Sequence, residues 1–218
     1  MKDIVIIGAG SFGKETAQII CDMNMAKKEW NLLGFIDETA GKIGSVINDT
    51  PVLGSFDWFE KNSNCNLYTV CAIGNPKDKY KLVKKADAFH VSFTNLIHPN
   101  ANISKFVEMG TGNIICYNTF ISVNTKIGNH ISINPGCGIG HDTAIEDYST
   151  LYWNITLSGN VNIRVGCEIG SKAVVIPKKA VGNWSVIGAG AVVVKDIPDN
   201  CTAVGVPAMP IKTKGLRI

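Results

Sequence analysis

Two hydrophobic regimes divide this chain. From residue 97 onward every sixth position is aliphatic or methionine: Ile97, Ile103, Met109, Ile115, Ile121, Ile127, Ile133, Ile139, Ile145, Leu151, Leu157, Ile163, Ile169, Val175, Val181, Ile187 and Val193. Helices repeat near 3.6 residues and strands near 2, so a sustained period of six predicts a parallel β-helix of short flat faces joined by tight corners. Glycine and asparagine recur between the aliphatic positions, as in Gly128-Asn129, Asn134-Pro135-Gly136 and Gly159-Asn160. Both residues tolerate the left-handed backbone that such corners require.

The first ninety residues follow another pattern. Ile4–Ile7 predicts a strand, Gly8-Ala9-Gly10-Ser11-Phe12-Gly13 a G-x-G-x-x-G turn, and Lys14–Met25 a helix. A strand, glycine turn and helix in that order present unpaired N–H groups and a positive dipole end to a phosphate. Leu32–Ile36 predicts a second strand ending at Asp37, where a dinucleotide fold places its ribose-binding acid. Beyond it the pattern offers a short helix near Phe56–Lys61, a strand over Leu67–Ile73, a turn at Gly74-Asn75-Pro76 and a helix over Lys77–Ala86. That is too little sheet for a full NAD-binding fold, which pairs two mononucleotide halves. The expectation is a half-sized Rossmann-like nucleotide-binding domain, with Gly8, Gly10, Gly13, Asp37 and Asn75 holding the nucleotide portion of a ligand. The alternative is a glycine turn that only packs a helix on a strand. The expected boundaries are 1–94 for this domain, 95–211 for the β-helix and 212–218 for a C-terminal tail.

Composition narrows the partners. The formal charge of +3 comes from 21 basic and 18 acidic residues scattered along the chain, with no basic block to track nucleic acid. Apolar runs such as Ile4–Ile7 and Ala191–Val194 fall far short of the roughly 20 residues that span a bilayer. The N-terminus enters a strand without a secretory leader pattern, so a cytoplasmic location is expected. Seven cysteines, at 21, 65, 71, 116, 137, 167 and 201, are odd in number and form no C-x-x-C pair. Neither a disulfide framework nor a metal site is indicated.

The chain resembles the hexapeptide-repeat acyltransferases, and within them the sugar O- and N-acyltransferases that place a small nucleotide-binding domain before the helix. Gly8-Ala9-Gly10, Phe35-Ile36-Asp37, Ile97-His98-Pro99, Gly140-His141-Asp142, Ser158-Gly159-Asn160-Val161 and Val204-Gly205-Val206-Pro207-Ala208 carry the resemblance over nearly the whole length. It implies a left-handed parallel β-helix of eighteen residues per coil, a homotrimer, and acyl-CoA bound between neighbouring subunits. Two acceptor types stay open: a nucleotide-linked amino sugar of surface-polysaccharide or glycan synthesis, and a sialic acid hydroxyl. A non-catalytic β-helix that binds nucleotide sugars is a third reading.

Among the four histidines, at 90, 98, 130 and 141, only His141 is followed by a carboxylate, Asp142, at a corner. The resembling family has its catalytic histidine at this motif. Acetyl transfer from acetyl-CoA needs a base for the attacking amine or hydroxyl, and imidazole suits that near pH 7. Eighteen residues on lies Gly159, whose N–H is expected one coil away to hold the thioester oxygen. The resemblance further places Ser171, Gly188 and Ala189 along the pantetheine arm and Lys195 at a CoA phosphate. A base without an evident nucleophile implies direct transfer. The resembling aminosugar enzymes often carry histidines where Phe12 and Thr150 stand here, so the Thr150 hydroxyl is a candidate replacement. Tyr152 and Trp153 suit a sugar pocket or a subunit interface equally.

Overall fold

The computed structural model describes residues 1–62 and 66–213, so Cys65 and residues 214–218 of the expected tail lie outside the described residues. Strand β1 (Lys2–Ile7) runs through the glycine turn into helix α1 (Ser11–Ala26), then β2 (Trp30–Ile36). Next come β3 (Val46–Ile47), β4 (Thr50–Gly54), α2 (Trp58–Asn62), β5 (Leu67–Cys71), α3 (Pro76–Asp87) and β6 (Ser92–Phe93). The sheet order is β3-β4-β2-β1-β5-β6, all parallel except the β3–β4 hairpin. This sheet is larger than the sequence pattern suggested. The hairpin was hidden because its turn, Asn48-Asp49, has both residues at positive φ without a glycine.

From Leu96 onward the chain winds into three walls of two-residue parallel strands. Each strand as far as Val174–Val175 pairs with the one eighteen residues later, as Gly138–Ile139 does with Thr156–Leu157. Wall one starts at Leu96–Ile97, wall two at Asn102–Ile103 and wall three at Glu108–Met109. The second residue of each pair points inward and builds a single apolar column from Ile115 to Val193. An α/β segment followed by a hexapeptide-repeat β-helix is thus the architecture, as the periodicity predicted. Wall one closes with Cys201–Val204 and an antiparallel Met209–Thr213, so residues 212 and 213 belong to a strand rather than to a tail.

Wall one also carries the N-terminal sheet. Its outward Leu96 and Ile114 are fully buried with Ile4, Ile6 and Ile19 in one cluster. Lys79 of α3 adds a polar clamp: its buried Nζ donates to Ser132 Oγ at 2.9 Å, Thr150 Oγ1 at 2.8 Å and the Ser149 carbonyl at 3.4 Å. Walls two and three are left free of the N-terminal strands, and wall two exposes Phe120.

Candidate active site

The corner between walls two and three holds His141 and Asp142. Asp142 takes φ 55°, a left-handed value that aspartate tolerates better than most residues. The turn leaves the imidazole 57% and the carboxylate 45% exposed, with His141 Nδ1 2.7 Å from Asp142 Oδ2. An ionised carboxylate only accepts, so Nδ1 carries the proton and Nε2 of the neutral ring keeps its lone pair. One coil below, Asn124 Nδ2 donates to Asp142 Oδ1 at 3.2 Å. These hydrogen bonds, that of His141 foremost, hold the Asp142 carboxyl below the usual carboxylate range.

One coil above stands Gly159. A Cβ placed on it would lie 2.5 Å from His141 Nε2 and 2.6 Å from Cε1, so only glycine leaves room for the ring. Among the described residues the Gly159 N–H makes no hydrogen bond. Gly140 is bare for a related reason, since a Cβ there would meet the Gly159 nitrogen at 2.6 Å. Three consecutive coils therefore frame one imidazole.

Of the other expected acyl-donor residues, three lie elsewhere. Ser171, Gly188 and Ala189 follow wall one strands and occupy the corner between walls one and two, the opposite edge of wall two from His141. They do not continue upward from Gly159. Lys195, exposed after Val192–Val193, does share the His141 edge. Thr150 corrects a further expectation: it is buried on wall one and its hydroxyl accepts a hydrogen bond from Lys79 Nζ, so it does not face the His141 corner. Tyr152 is half-buried and donates to Glu168 Oε1 at 3.2 Å, while Trp153 stays exposed and meets Tyr117 edge-on at 6.5 Å.

In the N-terminal domain the glycine turn and Asp37 lie side by side. Gly8 has φ 102°, and a Cβ on it would press on Ile73 at 2.7 Å; one on Gly13 would strike the Gly8 carbonyl. Gly10 opens on empty space and caps α1 with no side-chain hydrogen bond, leaving the helix N-terminus accessible. A cavity of 360 Å³ lies beside the turn, bounded by Gly8, Asp37, Thr39, Phe56 and Leu82. Asp37 accepts from the Ala9 N–H at 2.8 Å, the Thr39 N–H at 2.8 Å and Lys42 Nζ at 3.1 Å. Burial raises its pKa, but bonds from Thr39, Ala9 and Lys42 outweigh that and bring it to about 2. Asn75 is used otherwise than expected, as the N-cap of α3 accepting from the Lys77 and Asp78 N–H groups.

His98 and His130 have structural duties. His98 Nδ1 accepts from the Asn100 N–H and Nε2 reaches Asp22 at 3.0 Å, so no lone pair is left for chemistry. His130 stacks on Tyr148, and burial lowers its pKa to about 4. Burial pushes the thiols of Cys71, Cys116 and Cys167 up to about 12, which disfavours thiolate nucleophiles. Sequence reasoning missed Lys79 and Asn124. Lys79 sits on the stripe of buried α3 positions 76, 79, 83 and 86, and Asn124 lies eighteen residues before Asp142.

A six-residue repeat wound into coils of eighteen, with a histidine–aspartate corner and a nucleotide-type glycine turn, defines an acyltransferase of the hexapeptide class. Residues 3–86 match the PglD N-terminal domain family. GDP-perosamine N-acetyltransferase of Escherichia coli O157:H7 is 33% identical over 217 residues, covering 95% of each chain. A histidine variant of perosamine N-acetyltransferase from Caulobacter crescentus, solved with CoA and GDP-perosamine, is 29% identical with a TM-score of 0.85, covering 97% of this chain and 98% of that one. The acetyltransferase domain of PglB from Neisseria gonorrhoeae FA1090, solved with acetyl coenzyme A, is 26% identical with a TM-score of 0.87, covering 96% and 99%. The protein belongs to the hexapeptide-repeat, left-handed β-helix family of nucleotide-sugar N-acetyltransferases. Those whole-chain relatives narrow the resemblance away from sialic acid O-acetylation, and membership sets aside the non-catalytic reading.

Proposed function

We propose that this enzyme transfers the acetyl group of acetyl-CoA to the amine of a nucleotide-linked amino sugar, with His141 as general base. The carrying observation is the arrangement of His141: Nδ1 is tied to Asp142 at 2.7 Å while Nε2 faces the bare backbone of Gly159. Nε2 takes a proton as the sugar nitrogen bonds to the thioester carbon. The Gly159 N–H supports the oxyanion, the C–S bond breaks, and the proton returns to the CoA sulfur as thiol. With the buried thiols of Cys71, Cys116 and Cys167 raised, transfer is direct.

The relatives solved with CoA and GDP-perosamine or with acetyl coenzyme A support the choice of substrates. Gly8, Gly10, Gly13 and Asp37 suit the nucleotide, through the open helix end and its adjoining cavity. The product fits surface-polysaccharide or glycan synthesis. The active assembly is a homotrimer in which the wall one–two corner of one copy, with Ser171, Gly188 and Ala189, meets the His141 corner of the next. Exposed Tyr117, Phe120 and Val123 on and beside wall two favour that contact.

His141→Ala tests the base, with free-thiol release measured across nucleotide-linked amino sugars and the assembly's mass checked by light scattering. Turnover should fall by roughly two to four orders of magnitude at unchanged mass. Retention of wild-type turnover would rule His141 out as the base, and acetylation of a hydroxyl alone would rule out the amine.

A further inference from the structure

We infer that Asn124 is a positioning residue for the transfer step, one coil below the catalytic corner. The inference rests on the reading of His141 as base. His141 and Asp142 stand on an exposed edge, 57% and 45% accessible, so little packing restrains either side chain. A lone aspartate there rotates freely about its side-chain bonds and presents either oxygen, or neither, to the ring. Asn124 removes that freedom. Its Nδ2 donates to Oδ1 at 3.2 Å, which leaves Oδ2 as the oxygen aligned on Nδ1 at 2.7 Å.

The consequence reaches the reacting atom. Holding the carboxylate fixes the Nδ1–H tautomer and the plane of the ring, and so the direction of the Nε2 lone pair toward the space beside Gly159. Asn124, Asp142 and Gly159 thus control the imidazole from three coils: the first aims the carboxylate, the second holds Nδ1 and the third seats the edge of the ring. Asn124 reaches the base through Asp142, to which it donates.

A bland alternative is that Asn124 serves only its own corner, since it adopts φ 58°. Two substitutions separate the roles. Glycine and aspartate both accept left-handed backbone, so Asn124→Gly and Asn124→Asp each preserve the corner. Glycine deletes the donor; aspartate replaces it with a second carboxylate facing Asp142. A positioning role predicts kcat in the order wild type, Asn124→Gly, Asn124→Asp. The glycine variant should be slowed roughly tenfold, the worth of one hydrogen bond to a charged group. KM for acetyl-CoA and for the nucleotide sugar should stay within about twofold, with wild-type assembly mass and melting temperature. Equal kcat in all three proteins would overturn the inference, as would a loss carried in KM. Because His141→Ala is measured beside them, the failures are distinct: an active His141→Ala refutes the base, whereas an inactive one with full-speed Asn124 variants refutes only the positioning role.

Discussion

Gly159→Ala isolates the seat of the imidazole from the stability of the coil. The added methyl would lie 2.5 Å from His141 Nε2, 2.6 Å from Cε1 and 3.1 Å from Cδ2. Ordinary carbon contacts need about 3.5 to 4 Å, so the ring must retreat by about 1 Å. Gly159 does not use positive φ, so alanine brings no backbone strain there. The atoms that must move belong to an exposed side chain free to swing outward, and stability should change by less than about 0.5 kcal/mol. Catalysis has no such freedom. A misplacement of about 1 Å in a reacting group costs on the order of a hundredfold, or about 2.7 kcal/mol of transition-state stabilisation. Free-thiol release under saturating substrates should therefore show kcat down about a hundredfold, with the thermal transition within a degree or two of wild type. A kcat within threefold of wild type would refute the claim that this close approach sets the base. A large fall in melting temperature would show instead that the methyl breaks the coil.

Two further predictions concern the N-terminal domain. Burial lowers the Lys79 pKa from 10.5 to about 7, so between those values the unfolded chain binds more protons and wild-type stability rises with pH. Urea midpoints measured from pH 7 to 10 should show that rise for wild type and lack it for Lys79→Met; parallel curves would refute the assignment. Asp37 has its pKa lowered from 3.8 to about 2, so its contribution is complete above pH 4 and fades as pH falls toward 2. Asp37→Ala should lose about 2 kcal/mol at pH 7, and denaturant titrations should show the gap closing between pH 4 and 2. A gap that persists at pH 2 would place the cost outside the carboxylate.

How much of the site could be read beforehand depended on which direction it ran along the coil. Residues related by eighteen share an edge, so counting from His141 reached Gly159, and the same count back from Asp142 would have reached Asn124. Ser171 lies thirty residues beyond His141, which is not a whole number of coils and places it at another corner. Height along the axis was legible, while position around it required the division into walls. The N-terminal domain follows no such rule. Asn75 and Asp37 both sit where a ligand-binding residue was expected; Asn75 caps α3, while Asp37, tied to the glycine turn, also lines the cavity beside it. Spacing identifies a position at a turn without distinguishing a side chain that serves the backbone from one held for a ligand. Lys79 shows the same boundary from the other side: its helical position marked it for burial, but its acceptors lie 53 to 71 residues away. Only the docking of the N-terminal domain on wall one, where Leu96 and Ile114 pack with Ile4, Ile6 and Ile19, brings them within reach. A repeat encodes its own long-range contacts because each coil predicts the next; contacts between unlike domains follow from shape and burial, which the linear pattern does not carry.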